Sequence, residues 1–242
     1  LSSVAAKPSK NLGGIKTMNE TLGKSDDQLK ESEMMHGVVP AIVTNLKDPE
    51  KRGRVKVKFP WLPGKYVSDW LQVLSFFAGQ NRGAFFPPEM GDDVLVIFQK
   101  GNVNHPYVIG SLWSGKNRPP EKNADGASNV KMIKTRAGHT ITFDDNVRAK
   151  KSKLVIKSGS GHTITLDDAP GKEKIEIKDK AKNKIVMNSV KKSISIQSAM
   201  KLDIKAKIIN IDAQTTLSLK SGVLKSDTKG IATIKGAMVK IN

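Results

Sequence analysis

A repeated octapeptide decides the fold of this sequence. Residues 138–145 read GHTITFDD and residues 161–168 read GHTITLDD, an offset of 23 positions (161 − 138). Apolar and polar residues alternate in both copies, which is typical of a β-strand with one apolar face. The Asp pair that ends each copy favours a turn, and in the second copy Ala169-Pro170-Gly171 follows it. The pattern therefore predicts a repetitive β-structure from this point onward.

Shorter units continue the repeat towards the C-terminus. Each unit has about five residues, two of them apolar at alternating positions, and small or polar residues separate the units. They span residues 184–188, 193–197, 201–205, 208–212 and 216–220, and Ile234 and Ile241 continue the series. Because a strand of this length cannot bury its apolar face alone, we expect successive units to stack.

Two apolar residues per unit are too few for a core enclosed by one chain, whereas three chains wound together would share one apolar axis. We therefore expect an interwound trimeric β-helix, a β-prism needle. Its axis would be packed by Ile185, Met187, Ile194, Ile196, Leu202, Ile204, Ile209, Ile211, Leu217, Leu219, Ile234 and Ile241. A stable monomer would instead mean that the repeat packs within one chain.

Residues 37–120 have the pattern of a small β-barrel. Alternating or apolar runs separated by turn signals predict strands over residues 38–43, 54–59, 70–77, 93–99 and 107–113. Five such strands fit an antiparallel barrel of the OB type, with residues 93–99 as a central strand. Large aromatic residues are concentrated in this segment, and we expect five of them in the core or a subunit interface: Trp61, Trp70, Phe85, Phe86 and Trp113.

The composition divides the chain into three segments. Residues 1–36 are polar, with a weak helix pattern over residues 18–35, and are expected to form a linker. Residues 37–120 form the predicted barrel and contain most of the prolines. Residues 121–242 form the predicted β-helix. The fold class expected from these patterns is all-β.

The formal net charge is +18, and residues 131–242 contribute most of it, with 24 Lys/Arg against 10 Asp/Glu. Charged side chains outside a β-prism would oppose edge pairing and aggregation. The alternative is attraction to an anionic membrane or to nucleic acid. An OB barrel can bind single strands. Residues 37–130, however, carry only 12 Lys/Arg against 8 Asp/Glu, so no specific nucleic acid is expected.

The residues that could support catalysis are few. The sequence has no Cys, which excludes disulfides, thiolate zinc sites and a cysteine nucleophile. His139 and His162 occupy equivalent repeat positions, so a shared structural role is favoured; three copies meeting on an axis as a metal site is the alternative. Catalytic signatures such as Gly-x-Ser-x-Gly and His-Glu-x-x-His are also missing. We therefore expect no enzymatic activity, no cofactor and no metal.

Several motifs together resemble a known family. The segments at residues 38–45, 48–50, 53–61, 68–70, 88–96 and 106–113 resemble, in the family's order, the OB domain of the phage baseplate V / VgrG spike proteins. The repeated GHTI-x-F/L-DD motif is similar to the start of the VgrG spike. The resemblance extends from about residue 37 to the C-terminus.

The resemblance implies a trimeric central spike of a contractile injection system, such as a phage tail, a type VI secretion apparatus or an extracellular tail-like particle. In this family the OB domains form a collar, and the β-helix is a needle driven through a target envelope. The implied partners are two further copies, tail hub or baseplate proteins on the N-terminal side and, transiently, a target membrane. Residues 1–36 would then be a linker or the remnant of a hub. The particle would be assembled in the cytoplasm and then secreted or released as part of a tail.

The family also implies a PAAR-type tip protein. The sequence given ends within the repeat, so we expect this protein to dock on Met238, Val239, Lys240, Ile241 and Asn242. Two other functions remain open from the residues alone. One is a single-strand nucleic-acid-binding OB protein with a basic β-repeat tail, and the other is a fibre-like adhesin.

Overall fold

The computed structural model describes residues 34–62 and 66–240. Most of the predicted linker, including most of the weak helix over residues 18–35, lies outside this part of the chain. In the described residues, fourteen β-strands and one 3-10 helix, Gln99–Gly101, form the regular structure, which confirms the all-β prediction. No helix in these same ranges has the length and apolar character needed to cross a bilayer.

The first seven strands build the barrel domain. They are β1 (Val38–Asn45), β2 (Lys56–Lys58), β3 (Gln72–Val73), β4 (Ala78–Gly79), β5 (Arg82–Gly83), β6 (Asp93–Phe98) and β7 (Pro106–Leu112). Five of them form a sheet in the order β2-β1-β6-β7-β3, antiparallel except for the parallel pair β3 and β7. Two isolated bridges, Val55–Leu71 and Lys58–Val67, join the outer strands. The sheet therefore curls into the predicted five-stranded barrel.

Alternate residues of the barrel strands form its core. The buried apolar residues are Ala41, Val43, Val55, Val57, Phe59, Leu71, Val94, Val96, Phe98, Val103 and Val108. Valine predominates because a β-branched side chain packs well on a pleated surface. Strand β6 lies centrally, as predicted, but only its Val94–Val96–Phe98 face is buried within one chain.

The aromatic residues differ from the prediction of a core position. Trp61, Phe85, Phe86 and Trp113 are all exposed, and their exposed fractions run from 43% to 76%. Only a subunit interface therefore remains as an expectation for these four. The strand predicted over residues 70–77 is also too long, because only Gln72–Val73 pairs with β7. After it the chain leaves the sheet and forms the hairpin of β4 and β5, where Ser75 Oγ donates to Ala84 O at 2.8 Å.

A charged cluster fixes the loop between β1 and β2. The carboxylate of Asp48, whose side chain is 3% exposed, accepts hydrogen bonds from Arg54 Nη2 at 2.7 Å and Arg54 Nε at 3.1 Å. It also accepts from the backbone N–H groups of Glu50, Arg52 and Arg54. These donors, the Arg54 side chain first, hold the pKa of Asp48 well below its ordinary value, although burial acts in the opposite direction.

The other seven strands form one antiparallel sheet, here called the ladder. They are β8 (Val130–Lys134), β9 (Thr140–Asp144), β10 (Lys153–Lys157), β11 (Thr163–Asp167), β12 (Lys174–Lys178), β13 (Lys184–Asn188) and β14 (Ser193–Gln197). Each strand has five residues and pairs with its neighbours in sequence. The two octapeptides contain β9 and β11, and the units at 184–188 and 193–197 are β13 and β14. These units stack as predicted, whereas the stacking of the units at 201–205, 208–212 and 216–220 stays a prediction.

Three turns on one side of the ladder close in the same way. The backbone N–H of Thr135 donates to His139 O at 2.9 Å, and Ser158–His162 and Asp179–Asn183 repeat this bond. The residue before each acceptor has a positive φ. It is Gly138 and Gly161 in the first two turns, but Lys182, with φ of 71°, in the third. A lysine there is strained because its Cβ approaches the backbone.

The Lys182→Gly variant is therefore expected to be more stable by about 0.5–1 kcal/mol, since glycine adopts this backbone conformation without the steric penalty. Thermal unfolding followed by circular dichroism would measure the change. Lys180→Gly is the matched control, because it lies in the same turn without a positive φ and should lower stability. Equal shifts for both variants would contradict the argument.

Residues 198–240 contain no strand within the described single chain. Seven residues predicted to pack on an axis lie here, each at least half exposed: Leu202, Ile204, Ile209, Ile211, Leu217, Leu219 and Ile234. One chain therefore gives them no pairing partner, and their place in an interwound helix stays a prediction.

Candidate functional site

The candidate site is the apolar face of the ladder. The fourth residue of β8, β10, β12 and β14 pairs with the second residue of each neighbouring strand, as in Ile156–Ile141 and Ile177–Ile185. This pairing aligns one isoleucine from every strand in a continuous column, here called the isoleucine column. Its members are Ile133, Ile141, Ile156, Ile164, Ile177, Ile185 and Ile196.

A second column runs beside the first on the same face. It consists of Lys131, Phe143, Leu154, Leu166, Ile175, Met187 and Ile194. With strands about 4.8 Å apart, both columns extend for about 30 Å. The face is thus a long, narrow and almost wholly apolar strip.

The strip is open in the single chain. Twelve of its thirteen apolar side chains are at least 36% exposed, and Ile194 reaches 72%. A concavity of about 640 Å³ lies over it, lined by residues that include Ile164, Ile177, Ile185 and Leu202. Exposed apolar surface of this extent is uncommon on a monomeric protein and marks an interaction surface.

The structure brings together only some of the predicted axis residues. Ile185, Met187, Ile194 and Ile196 lie side by side in the two columns. The predicted residues from Leu202 to Ile234 lie beyond the last strand, and Ile241 and Asn242 are outside the described residues. Of the predicted docking site, Met238, Val239 and Lys240 are described and exposed.

The predicted axis residues did not include the earlier members of the columns, from Ile133 to Ile177, although the two octapeptides were predicted to be strands with one apolar face. The signal was present, because the strand sequences KLVIK and KIEIK also place apolar residues at the second and fourth positions. Only the pairing register shows that these positions continue the same strip.

The opposite face of the ladder is mostly polar, although its middle row includes Met132, Val155 and Val186. One row along it alternates in charge, with Lys153 paired to Asp144 and to Asp167, and Lys174 paired to Asp167. Opposite charges on paired strands contribute about 0.2–1 kcal/mol. The side chains of this face are mostly half-buried in the single chain.

The two equivalent histidines have the same structural role. His139 Nδ1 accepts the backbone N–H of Gly159 at 3.2 Å, and His162 Nδ1 accepts that of Lys180 at 3.3 Å. Each histidine thus ties its turn to the next turn on the same side. Over residues 34–62 and 66–240, no group of three or more His, Asp or Glu residues is arranged to hold a metal ion.

An ion pair connects the ladder to the barrel. Arg136 Nη1, in the first ladder turn, lies 2.8 Å from Glu89 Oε2 in the loop before β6. After the barrel, Asn117 Nδ2 donates to Asp93 Oδ2 at 3.2 Å. The chain segment that leaves β7 is therefore fixed against the barrel before the ladder begins.

An OB-type barrel that leads into a β-ladder with an open apolar strip defines an all-β protein with a surface suited to assembly with other chains. Residues 39–113 match the family of the type VI secretion system/phage-baseplate injector OB domain. The barrel domain is thus similar to the OB domain of phage baseplate V / VgrG proteins.

Three relatives illustrate the similarity. The chain is 35% identical over 72 residues to the type VI secretion system spike protein VgrG2a of Pseudomonas aeruginosa, which covers 28% of this chain and 9% of the relative. It is 27% identical over 122 residues to VgrG1a of the same organism, covering 46% and 19%. It is 32% identical over 75 residues to the actin cross-linking toxin VgrG1 of Vibrio cholerae, covering 29% and 7%. The matched part thus spans less than a fifth of the length of each relative.

Proposed function

We propose that three copies of this chain form the central spike of a contractile injection machine and that the spike pierces a target envelope as a stiff rod. The observation that carries the proposal is the open apolar strip directly following an injector OB domain. Three strips facing one axis would remove both columns from water at once. Apolar burial of this kind contributes about 25 cal/mol per Å² and is the main driving force of association.

The segment after the ladder supports the interwound part of the proposal. Residues 198–240 keep periodic apolar side chains at positions 204, 211, 219 and 234, which are 7, 8 and 15 residues apart, yet have no strand partner in their own chain. Burying these side chains would remove the backbone N–H and C=O groups of the segment from water. Pairing with the other two chains would supply the hydrogen bonds that these groups then need. The axis residues there would be Leu202, Ile204, Ile209, Ile211, Leu217, Leu219 and Ile234, followed by Ile241.

The two ends of the rod would meet different partners. On the barrel side we propose tail hub or baseplate proteins, consistent with the family of residues 39–113. On the C-terminal side we propose a PAAR-type tip protein that contacts Met238, Val239 and Lys240, with Ile241 and Asn242. Met238 and Val239 are exposed apolar residues, 78% and 53% exposed, and so suit a docking contact.

The proposed work is mechanical rather than enzymatic. The chain would assemble in the cytoplasm into a tail-like particle and meet the target membrane transiently during injection. The ladder's polar outer face and its lysines would keep the rod soluble before injection.

The native mass in solution tests the proposal. Light scattering on a sizing column is expected to give about three times the chain mass of 26.3 kDa. The trimer should persist in high salt, because apolar burial rather than ion pairing holds it. A stable monomer at all concentrations would refute the proposal.

A further inference from the structure

The two long edges of the ladder differ in charge. One edge, here called the cationic edge, comprises residues 134–140, 157–163 and 178–184, with seven Lys or Arg and one acidic residue. The other, here called the mixed edge, comprises residues 144–153, 167–174 and 188–193, with eight Lys or Arg and five acidic residues. In a three-fold assembly each interface is heterologous, so the cationic edge of one copy meets the mixed edge of the next.

The charges on the two edges follow the same two-strand period but are displaced by one strand. At the cationic edge lysines end β8, β10 and β12, namely Lys134, Lys157 and Lys178. In the described part of the chain no ion pair joins any of these three lysines to an acidic side chain. At the mixed edge the acidic residues Asp144 and Asp167 lie on the alternate strands β9 and β11, whereas Lys153 and Lys174 lie on β10 and β12.

We propose that neighbouring ladders in the trimer meet with an offset of one strand, so that the cationic end of each strand lies level with the mixed end of the following strand of the next copy. This inference rests on the proposed trimer and specifies its register. The offset brings Lys134 level with Asp144 and Lys157 level with Asp167. It also brings Lys178 level with Asn188 and Lys184 level with Ser193, so that no two charges of like sign are level at the strand ends.

The other two registers are less favourable. Without an offset, Lys157 and Lys178 of one copy lie level with Lys153 and Lys174 of the next, which makes two like-charge contacts per interface. The opposite offset forms two Lys–Asp contacts but places Lys184 at Lys174. Since like charges on facing positions are destabilising, only the proposed offset avoids every such contact.

The offset is geometrically small. A five-residue strand is about 16 Å long, and neighbouring strands lie about 4.8 Å apart. A strand tilt of about 15–20° from the plane normal to the axis therefore produces it. Each exposed Lys–Asp contact is weak, so the pairs would select the register rather than supply the affinity, which comes from the apolar strip.

Chemical cross-linking tests the register, and the absence of Cys from the sequence makes introduced thiols unique. Lys157→Cys is combined in separate full-length variants with Asp144→Cys, Lys153→Cys or Asp167→Cys. A short bis-maleimide bridges the thiols, and a denaturing gel counts the linked chains. Lys157 and each partner lie at opposite ends of the strands of one ladder, so a higher band reports a link between copies.

The expected result is that the Lys157→Cys/Asp167→Cys variant links fastest and forms covalent trimers. The single variants Lys157→Cys and Asp167→Cys are the controls and should stay unlinked. The inference is overturned if the Lys153→Cys or Asp144→Cys combination links fastest, if Lys157→Cys links to itself, or if no combination links while light scattering still shows a trimer. A monomeric mass would instead refute the trimer itself, so the two failures are distinguishable.

Discussion

The Ile164→Lys variant is expected to convert the trimer into monomers. Ile164 lies in the middle of the isoleucine column, with Ile156 and Ile177 as register partners, and is 38% exposed in the single chain. In the proposed trimer the substitution places three ammonium groups on one dry axis. An unpaired buried charge costs several kcal/mol, and here three would also repel one another. Light scattering should show a mass near 26.3 kDa.

Thr165→Lys is the matched control for this result. Thr165 is the next residue in β11 but lies on the polar face, with Val155 and Glu176 as register partners. A lysine there gains an acidic neighbour and remains in water, so the trimer should persist. The same substitution in the segment after the ladder, Ile204→Lys, should also disrupt the trimer if Ile204 packs on the axis. A heat-stable trimer of Ile164→Lys would show that the apolar strip does not face the axis.

The second large effect is expected in the barrel, where Asp48→Asn should lower stability by about 3 kcal/mol. Breaking a buried ion pair on one side costs about 3–5 kcal/mol because the remaining charge loses its partner. The lower end applies because the side chain of Arg54 is 15% exposed. All three tryptophans lie within residues 61–113. Tryptophan fluorescence during denaturation therefore reports the barrel separately from the ladder.

The control and the pH dependence follow from the same cluster. Glu50→Gln removes one contact to Arg54 from a carboxylate that is 51% exposed, and should change stability by less than about 1 kcal/mol.

The pKa of Asp48 is lower in the folded state than its unfolded value near 3.9. Its contribution is therefore complete above that value and is lost as the pH falls below it. The Asp48→Asn barrel should show a weaker dependence on acid, and an unchanged acid profile would contradict the role assigned to Asp48.

Local patterns predicted most of the fold. The apolar run in residues 93–99 and the segment 107–113, each bounded by turn signals, gave the positions of β6 and β7 to within one or two residues. The alternation within the repeated octapeptide predicted β9 and β11. By contrast, the strand expected over residues 70–77 shortens to Gln72–Val73, since the chain turns away at Ser75 to form a separate hairpin.

The candidate site was less predictable because it depends on pairing between strands. The sequence shows two apolar residues in each five-residue unit, but only the register aligns Ile141, Ile156 and Ile164 in one column. The exposed Trp113 shows that burial, too, was hard to predict from the sequence. A large aromatic side chain is apolar enough for a core, and composition alone cannot distinguish a barrel core from a surface used by another chain.

The regular ladder also sets how such a rod can change in length. One added strand would reverse the chain direction and exchange the cationic and mixed edges of everything after it. Two added strands restore the direction, the apolar face and both edges together, and the 23-residue spacing of Gly138 and Gly161 is one such step. Length in this architecture is therefore quantised in increments of about 10 Å. Duplication or loss of one hairpin would lengthen or shorten the rod without altering its cross-section.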